Sequence, residues 1–261
     1  CGSRPPPRRI HPKTPMMSEL WTELFQNFYT RTPHTAILFF AREAKEEAFF
    51  KAWNAQGSWK VNQKISESLN QHTLRTAEAT GLPVIWVDST LQRGNSFGER
   101  LSHAFADVFE MGYQQVIAIG NDCPALTAAD ISISSELLSQ RQLVAGGTQD
   151  GGVYLIGLHR DQFASQEFQS LTWETSDLQE SLLQYAQLRK LDVQWLEEKT
   201  DLDTTSDLLF FIQTHRTRLA EILRQLLFSV TYIIGIHRSF GWADHIPLTL
   251  SSRGPPIHAP R

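Results

Sequence analysis

Short apolar runs alternate with stretches of helical spacing through most of the chain. Thr35-Ala36-Ile37-Leu38-Phe39-Phe40, behind Pro33, predicts a first buried strand, and Pro83 to Asp88 a second. Val116-Ile117-Ala118-Ile119-Gly120 predicts a third. Its unbroken apolar character suits a central parallel strand covered on both faces. Leu143 to Gly146, Val153 to Leu158 and Leu191 to Leu196 complete the predicted strands. Between them lie expected helices over about Glu43–Trp53, Val61–Thr80 (closed by Gly81), Leu101–Phe109 (ended by Gly112), Ala128–Gln140 and Leu178–Leu188. A last helix is expected from Ser206 to Phe228, and an amphipathic N-terminal one around Leu20, Trp21, Leu24, Phe25 and Phe28. Strand and helix alternating through residues 35–228 predict an α/β fold in three α/β/α layers, with a mostly parallel sheet.

Length and composition set limits on that picture. The 261 residues can build a sizeable core, and 41% hydrophobic with 20% charged residues is ordinary globular composition. Residues 1–17 are expected to form a disordered tail rich in Pro and Arg, with Met16 or Met17 as a natural start. Residues 18–228 would form one domain and 229–261 a C-terminal extension. The net charge of -4 argues against a nucleic-acid partner. No run approaches the ~20 apolar residues of a membrane span, so no stable membrane insertion is expected. Two cysteines, Cys1 and Cys123, fit neither a disulfide framework nor a four-ligand zinc site, and point to a reducing, cytoplasmic setting.

Four segments carry candidate chemistry. Asp122, in Asn121-Asp122-Cys123-Pro124, lies just beyond the third strand, where open α/β sheets bind ligands. Its carboxylate could take a hard divalent cation or cap the following turn. Asp201-Leu202-Asp203-Thr204 alternates carboxylates, so two oxygens could share one side of an extended segment. Asp203 and Thr204 could equally start a helix. In Asp150-Gly151-Gly152, Asp150 could bind an acceptor hydroxyl while the glycines admit a ligand, or the three could form a tight turn. Gly98 and Arg100 open a helix that could cradle an anion. Cys123 has no paired His and reads as a small core residue, and Trp173 as an aromatic that could face a substrate.

Taken together, Phe40-Ala41-Arg42, Gly98-Glu99-Arg100-Leu101, Val116 to Thr127, Asp150 to Leu158, Trp173 and Asp201 to Thr204 resemble an uncharacterised bacterial family. Its members are predicted A-type glycosyltransferases, related to molybdenum-cofactor guanylyltransferase-like proteins. The resemblance implies a nucleotide-diphospho-sugar transferase fold and transfer from a nucleotide sugar or nucleotide to a small-molecule acceptor, assisted by Mg²⁺ or Mn²⁺. Asp122 and Asp203 would face the metal, Asp122 and Asp150 would be catalytic, and Gly151 and Gly152 would line the acceptor side. One segment departs from the pattern. The Gly- and Pro-containing phosphate loop after the first strand is replaced by Arg42-Glu43-Ala44-Lys45-Glu46-Glu47, leaving Arg42 and Lys45 as phosphate donors. The leading expectation is a metal-dependent glycosyl transferase. The alternatives are a nucleotidyltransferase and a non-catalytic binding or scaffold protein.

Overall fold

The structure is a computed structural model; it describes residues 34–51, 53, 58–140 and 142–239, with side chains described up to 228. The strands among them are β1 (Thr35–Phe40), β2 (Val84–Val87), β3 (Gln115–Ile119), β4 (Leu143–Gly147), β5 (Val153–His159) and β6 (Val193–Trp195). The helices are α1 (Ala44–Phe50), α2 (Trp59–Glu78), α3 (Phe97–Glu110), α4 (Ala128–Ser139), α5 (Ser165–Gln169), α6 (Leu178–Leu188), α7 (Thr205–Thr214) and α8 (Arg218–Ser239). The expected N-terminal helix, the tail before it and the segment beyond Ser239 lie outside the described residues.

The strands form one sheet in the order β2-β1-β3-β5-β4-β6, parallel except for β5, which is antiparallel to both neighbours. The period of two along each strand builds a core on both faces. Ala36, Leu38, Phe40, Val116 and Ala118 face α3, α5 and α6, where Phe105, Phe168 and Leu182 pack. Ile37, Phe39, Ile117 and Ile119 face the other way, against Ile131 and Leu138 of α4 and Ala77 of α2. This is the expected three-layer α/β/α arrangement. A third cluster joins Trp53, Val61, Ile65 and Leu69 to Leu202, Leu208, Phe211 and Leu223, tying α2 to α7 and α8 beside the sheet. No helix among the described residues is long and apolar enough to cross a membrane.

The helix expected over Ser206–Phe228 is two helices. His215 leaves the helical conformation at φ -105°, ψ 134°, and Thr217 starts the next helix by accepting from the Ala220 amide at 3.2 Å. Arg224 then reaches back to the Ile212 carbonyl at 2.7 Å, satisfying an acceptor that the first helix end leaves open. The second helix runs on to Ser239, so the expected boundary at residue 228 falls inside it.

Candidate functional site

The carboxyl ends of β1 and β3 open onto a cleft of about 450 Å³. Beyond β3 the chain turns at Gly120. A Cβ there would stand 2.9 Å from Asp122 Oδ1, so glycine lets the Asp122 side chain fold back over its own strand end. Asn121 is buried and donates from Nδ2 to Asn70 Oδ1 at 2.7 Å, fixing the loop to α2. Asp122 lines the cleft.

The second acidic segment comes to this loop along the end of β4. Leu196 donates to the Ala145 carbonyl (2.8 Å), and Lys199 to that of Gly147 (3.2 Å). The Leu202 amide then donates to the Asp122 carbonyl at 2.7 Å, while the Leu202 carbonyl accepts from Trp53 Nε1 at 2.8 Å. With Leu202 clamped and its side chain 2% exposed, the alternation of an extended segment puts Asp201 and Asp203 on the opposite side together. Thr204 and Asp207 cap α7 reciprocally, so the expected helix start is also present, without using the Asp203 side chain.

Asp150 enters from the β4–β5 turn, where Thr148 and Gly152 pair backbone to backbone and Gly151 takes φ +93°. A side chain at Gly151 would meet the Ser176 carbonyl at 2.1 Å, so glycine is required there by both conformation and space. Turn and site are one structure: Asp150 Oδ1 accepts from Thr148 Oγ1 and from the Gly152 amide (3.1 Å). Asp150, Asp201 and Asp203 each offer an oxygen, and these lie within 4.8 Å of one another. Asp201, which the alternation of carboxylates offered but the family resemblance did not assign to the metal, is therefore part of the set. Asp122 stands beside the set and is linked to it through Lys51, whose Nζ pairs with Asp203 and lies 3.9 Å from Asp122 Oδ2.

The electrostatics follow from this crowding. Burial, then the carboxylates of Asp122, Asp203 and Asp150, push Asp201 up to about 7. Asp150 is held below the usual carboxylate range, chiefly by the Thr148 hydroxyl, which suits a ligand better than a proton acceptor. Burial opposes the charge on Lys51, but Asp122, Asp203 and Glu47 outweigh it and keep the ammonium above the ordinary lysine value. Three carboxylates converging without nitrogen or sulfur donors suit a hard divalent cation. Ligands about 2.0–2.6 Å from one ion necessarily fall within about 5 Å of each other, as these oxygens do.

The cationic residues are arranged differently from the sequence expectation. Arg42 lines the cleft but is engaged by Glu47 at 3.3 Å and lies 4.6 Å over the Phe50 ring. Lys45 is exposed on α1 and outside the cleft lining, because the helical turn carries residue 45 away while Lys51, at the helix end, returns to the cleft. Glu47 is buried and uncomfortable there: burial raises its carboxyl although Arg42 and Lys51 oppose the shift. Arg100 lines the cleft, and no other described residue accepts a hydrogen bond from its side chain or pairs with it. Gly98 serves packing, since a Cβ would strike the Gln169 carbonyl (2.3 Å) and Trp173 (2.5 Å). Trp173 does line the cleft, tilted against Phe97 at 5.4 Å, with its Nε1 donating to the Phe168 carbonyl. Gly152 lines it too, and Gly151 positions the turn.

Cys123 is buried, and burial with the nearby Asp122 pushes its thiol up to about 12. Almost no thiolate exists at neutral pH. Alkylation of Cys123 by iodoacetamide at pH 8, followed by mass spectrometry, should be negligible in the folded protein and rapid in guanidinium. Fast labelling of the native protein would contradict this placement.

Residues 70–175 match the model of a family described as uncharacterised proteins conserved in bacteria, DUF2064. No curated protein matches the chain. Among solved structures, the chain is similar to a proposed nucleotide-diphospho-sugar transferase from Desulfovibrio desulfuricans G20. That match has 20% identity over 75% of this chain and 97% of the other, with a TM-score of 0.63. It shows that the two chains share a fold. More distant matches include a manganese complex of Rv0371c from Mycobacterium tuberculosis H37Rv (13% identity, 69% and 98% coverage, TM-score 0.37). Another is a cytidylyltransferase from Leptospira borgpetersenii serovar Hardjo-bovis (12%, 81% and 99%, 0.34).

Proposed function

On the premise of this fold, we propose that the protein is a transferase acting on a nucleotide-activated substrate, in the first place a nucleotide sugar, with a divalent cation as cofactor. The observation that carries this reading is the convergence of Asp150, Asp201 and Asp203, with Asp122 alongside, at the strand ends of a cleft large enough for a small ligand. Asp150, Asp201 and Asp203 would hold Mg²⁺ or Mn²⁺, with Asp122 at its side. When bound, such an ion supplies positive charge that stabilises a departing diphosphate.

The chain's own groups do the rest. Arg100, free of protein partners among the described residues, binds phosphate oxygens. Phe97 and Trp173 give an apolar wall against which a ring can lie. Asp150 orients the acceptor hydroxyl by accepting its hydrogen bond. In the transfer, a bond forms from the acceptor oxygen to the sugar's anomeric carbon and the bond from that carbon to the diphosphate breaks. The acceptor's proton leaves to a carboxylate or to water, and a nucleoside diphosphate departs. The cleft's acidic end tells against a scaffold role, because Asp201, pushed up to about 7 by burial and its neighbouring carboxylates, costs stability when ionised that a purely structural protein has no reason to retain.

The test is a thermal-shift screen of nucleoside di- and triphosphates and nucleotide sugars, with and without Mn²⁺. A ligand at one hundred times its dissociation constant should add about 2.7 kcal/mol of apparent stability. At least one nucleotide sugar is expected to shift the melting temperature only when Mn²⁺ is present. Absence of any cation-dependent shift across the panel would sink the reading.

A further inference from the structure

Lys51 touches both acidic segments. Its Nζ is paired with Asp203 and lies 3.9 Å from Asp122 Oδ2, with its side chain 15% exposed. Its backbone is fixed: the amide donates to the Glu47 carbonyl (3.0 Å) as α1 closes, and the carbonyl accepts from Asn62 Nδ2 (2.9 Å). The ammonium can therefore leave the carboxylates only by rotation of its own side chain. Asp203 belongs at once to this ion pair and to the three-carboxylate set. Lys51 holds Oδ1 of Asp203, so a metal bound by this carboxylate must share it with the ammonium or displace it.

Resting on the cation reading above, we infer that Lys51 is a built-in competitor for the divalent ion. In the ion-free protein its ammonium neutralises Asp203 and borders Asp122, which keeps mutually repelling carboxylates together. Arrival of the cation displaces the ammonium, so the site is bound only at the expense of an existing charge pair. The displaced ammonium turns into the cleft and raises its positive charge. Cation and anion sites are then coupled through one side chain, and coupling of this kind is reciprocal. Lys51 acts here as a positioning residue and a gate on occupancy, not through contact with reacting atoms.

The experiment measures Mn²⁺ alone, in chloride buffer without phosphate or nucleotide, binding to wild type, Lys51→Met, Lys51→Gln and Lys51→Arg. The readouts are isothermal calorimetry and the electron paramagnetic resonance signal of free Mn²⁺. Circular dichroism melting selects the folded variants, and either neutral substitution serves if the other misfolds. Removing the competing charge should tighten Mn²⁺ binding by about tenfold or more, within the roughly 5- to 150-fold range usual for coupled sites, while Lys51→Arg stays near wild type. Equal or weaker binding by the neutral variants overturns the competitor role but leaves the cation site standing. No Mn²⁺ binding by any of the four proteins removes the cation reading and this inference with it.

Discussion

Asp201→Asn is expected to melt above wild type when ion-free at pH 8, and to lose the stabilisation that Mn²⁺ gives the wild type. The argument starts from crowding. Asp201 sits among Asp122, Asp203 and Asp150, and its carboxyl is raised to about 7 in the folded protein against an ordinary 3.8. A group whose folded value is raised favours the fold while it is protonated. That contribution is complete below about pH 4, declines as pH rises, and is gone above about pH 7. At pH 8 the ionised side chain is therefore a net burden, and Asn removes its charge at nearly constant shape. A gain of about 1 kcal/mol would raise the midpoint by about 2–4 °C in a domain of this size. The advantage should shrink as the pH is lowered from 7 to 4. A variant that melts lower than wild type at pH 8, or that keeps the full Mn²⁺ shift, would show that Asp201 is not a ligand held against repulsion.

Trp53→Ala should be the most destabilising single change near the site. Trp53 is 1% exposed and packs with Val61, Ile65, Leu69 and Leu202. Emptying such a position costs about 3–5 kcal/mol. It also removes the Nε1 donor to the Leu202 carbonyl, leaving a buried acceptor open. Denaturant unfolding should show the loss as a lower midpoint. Trp53→Phe separates the two effects, since it retains most of the bulk and loses only the donor, for about 1–3 kcal/mol. Leu202 lies between Asp201 and Asp203, so freeing its carbonyl should loosen both carboxylates and weaken Mn²⁺ binding. If Trp53→Phe is destabilised but binds Mn²⁺ like wild type, the indole supports the core without positioning the site.

These two residues also mark where sequence reading stops. The strands were legible because each is a short apolar run whose alternate residues bury on opposite faces, as Ile37 and Leu38 do. The start of α7 at Thr204 was legible because capping is local chemistry. The break at His215 was not, since Arg224 closes it by reaching the Ile212 carbonyl from twelve residues further along the chain. The donor expected at Lys45 is replaced in the cleft by Lys51, because the length of α1, not composition, decides which lysine returns.

The α/β layering and the acidic loops at the strand ends follow from local sequence, since period and turn chemistry are encoded within a few residues. The tertiary structure alone decided which carboxylates meet. Asp201 and Asp203 join Asp150 because long-range backbone hydrogen bonds, from Leu196 and Lys199 to the end of β4 and from Leu202 to the Asp122 carbonyl, lay the later segment against the earlier loops. No local pattern carries those contacts, and only the packed chain sets the distances on which charge, and so chemistry, depends.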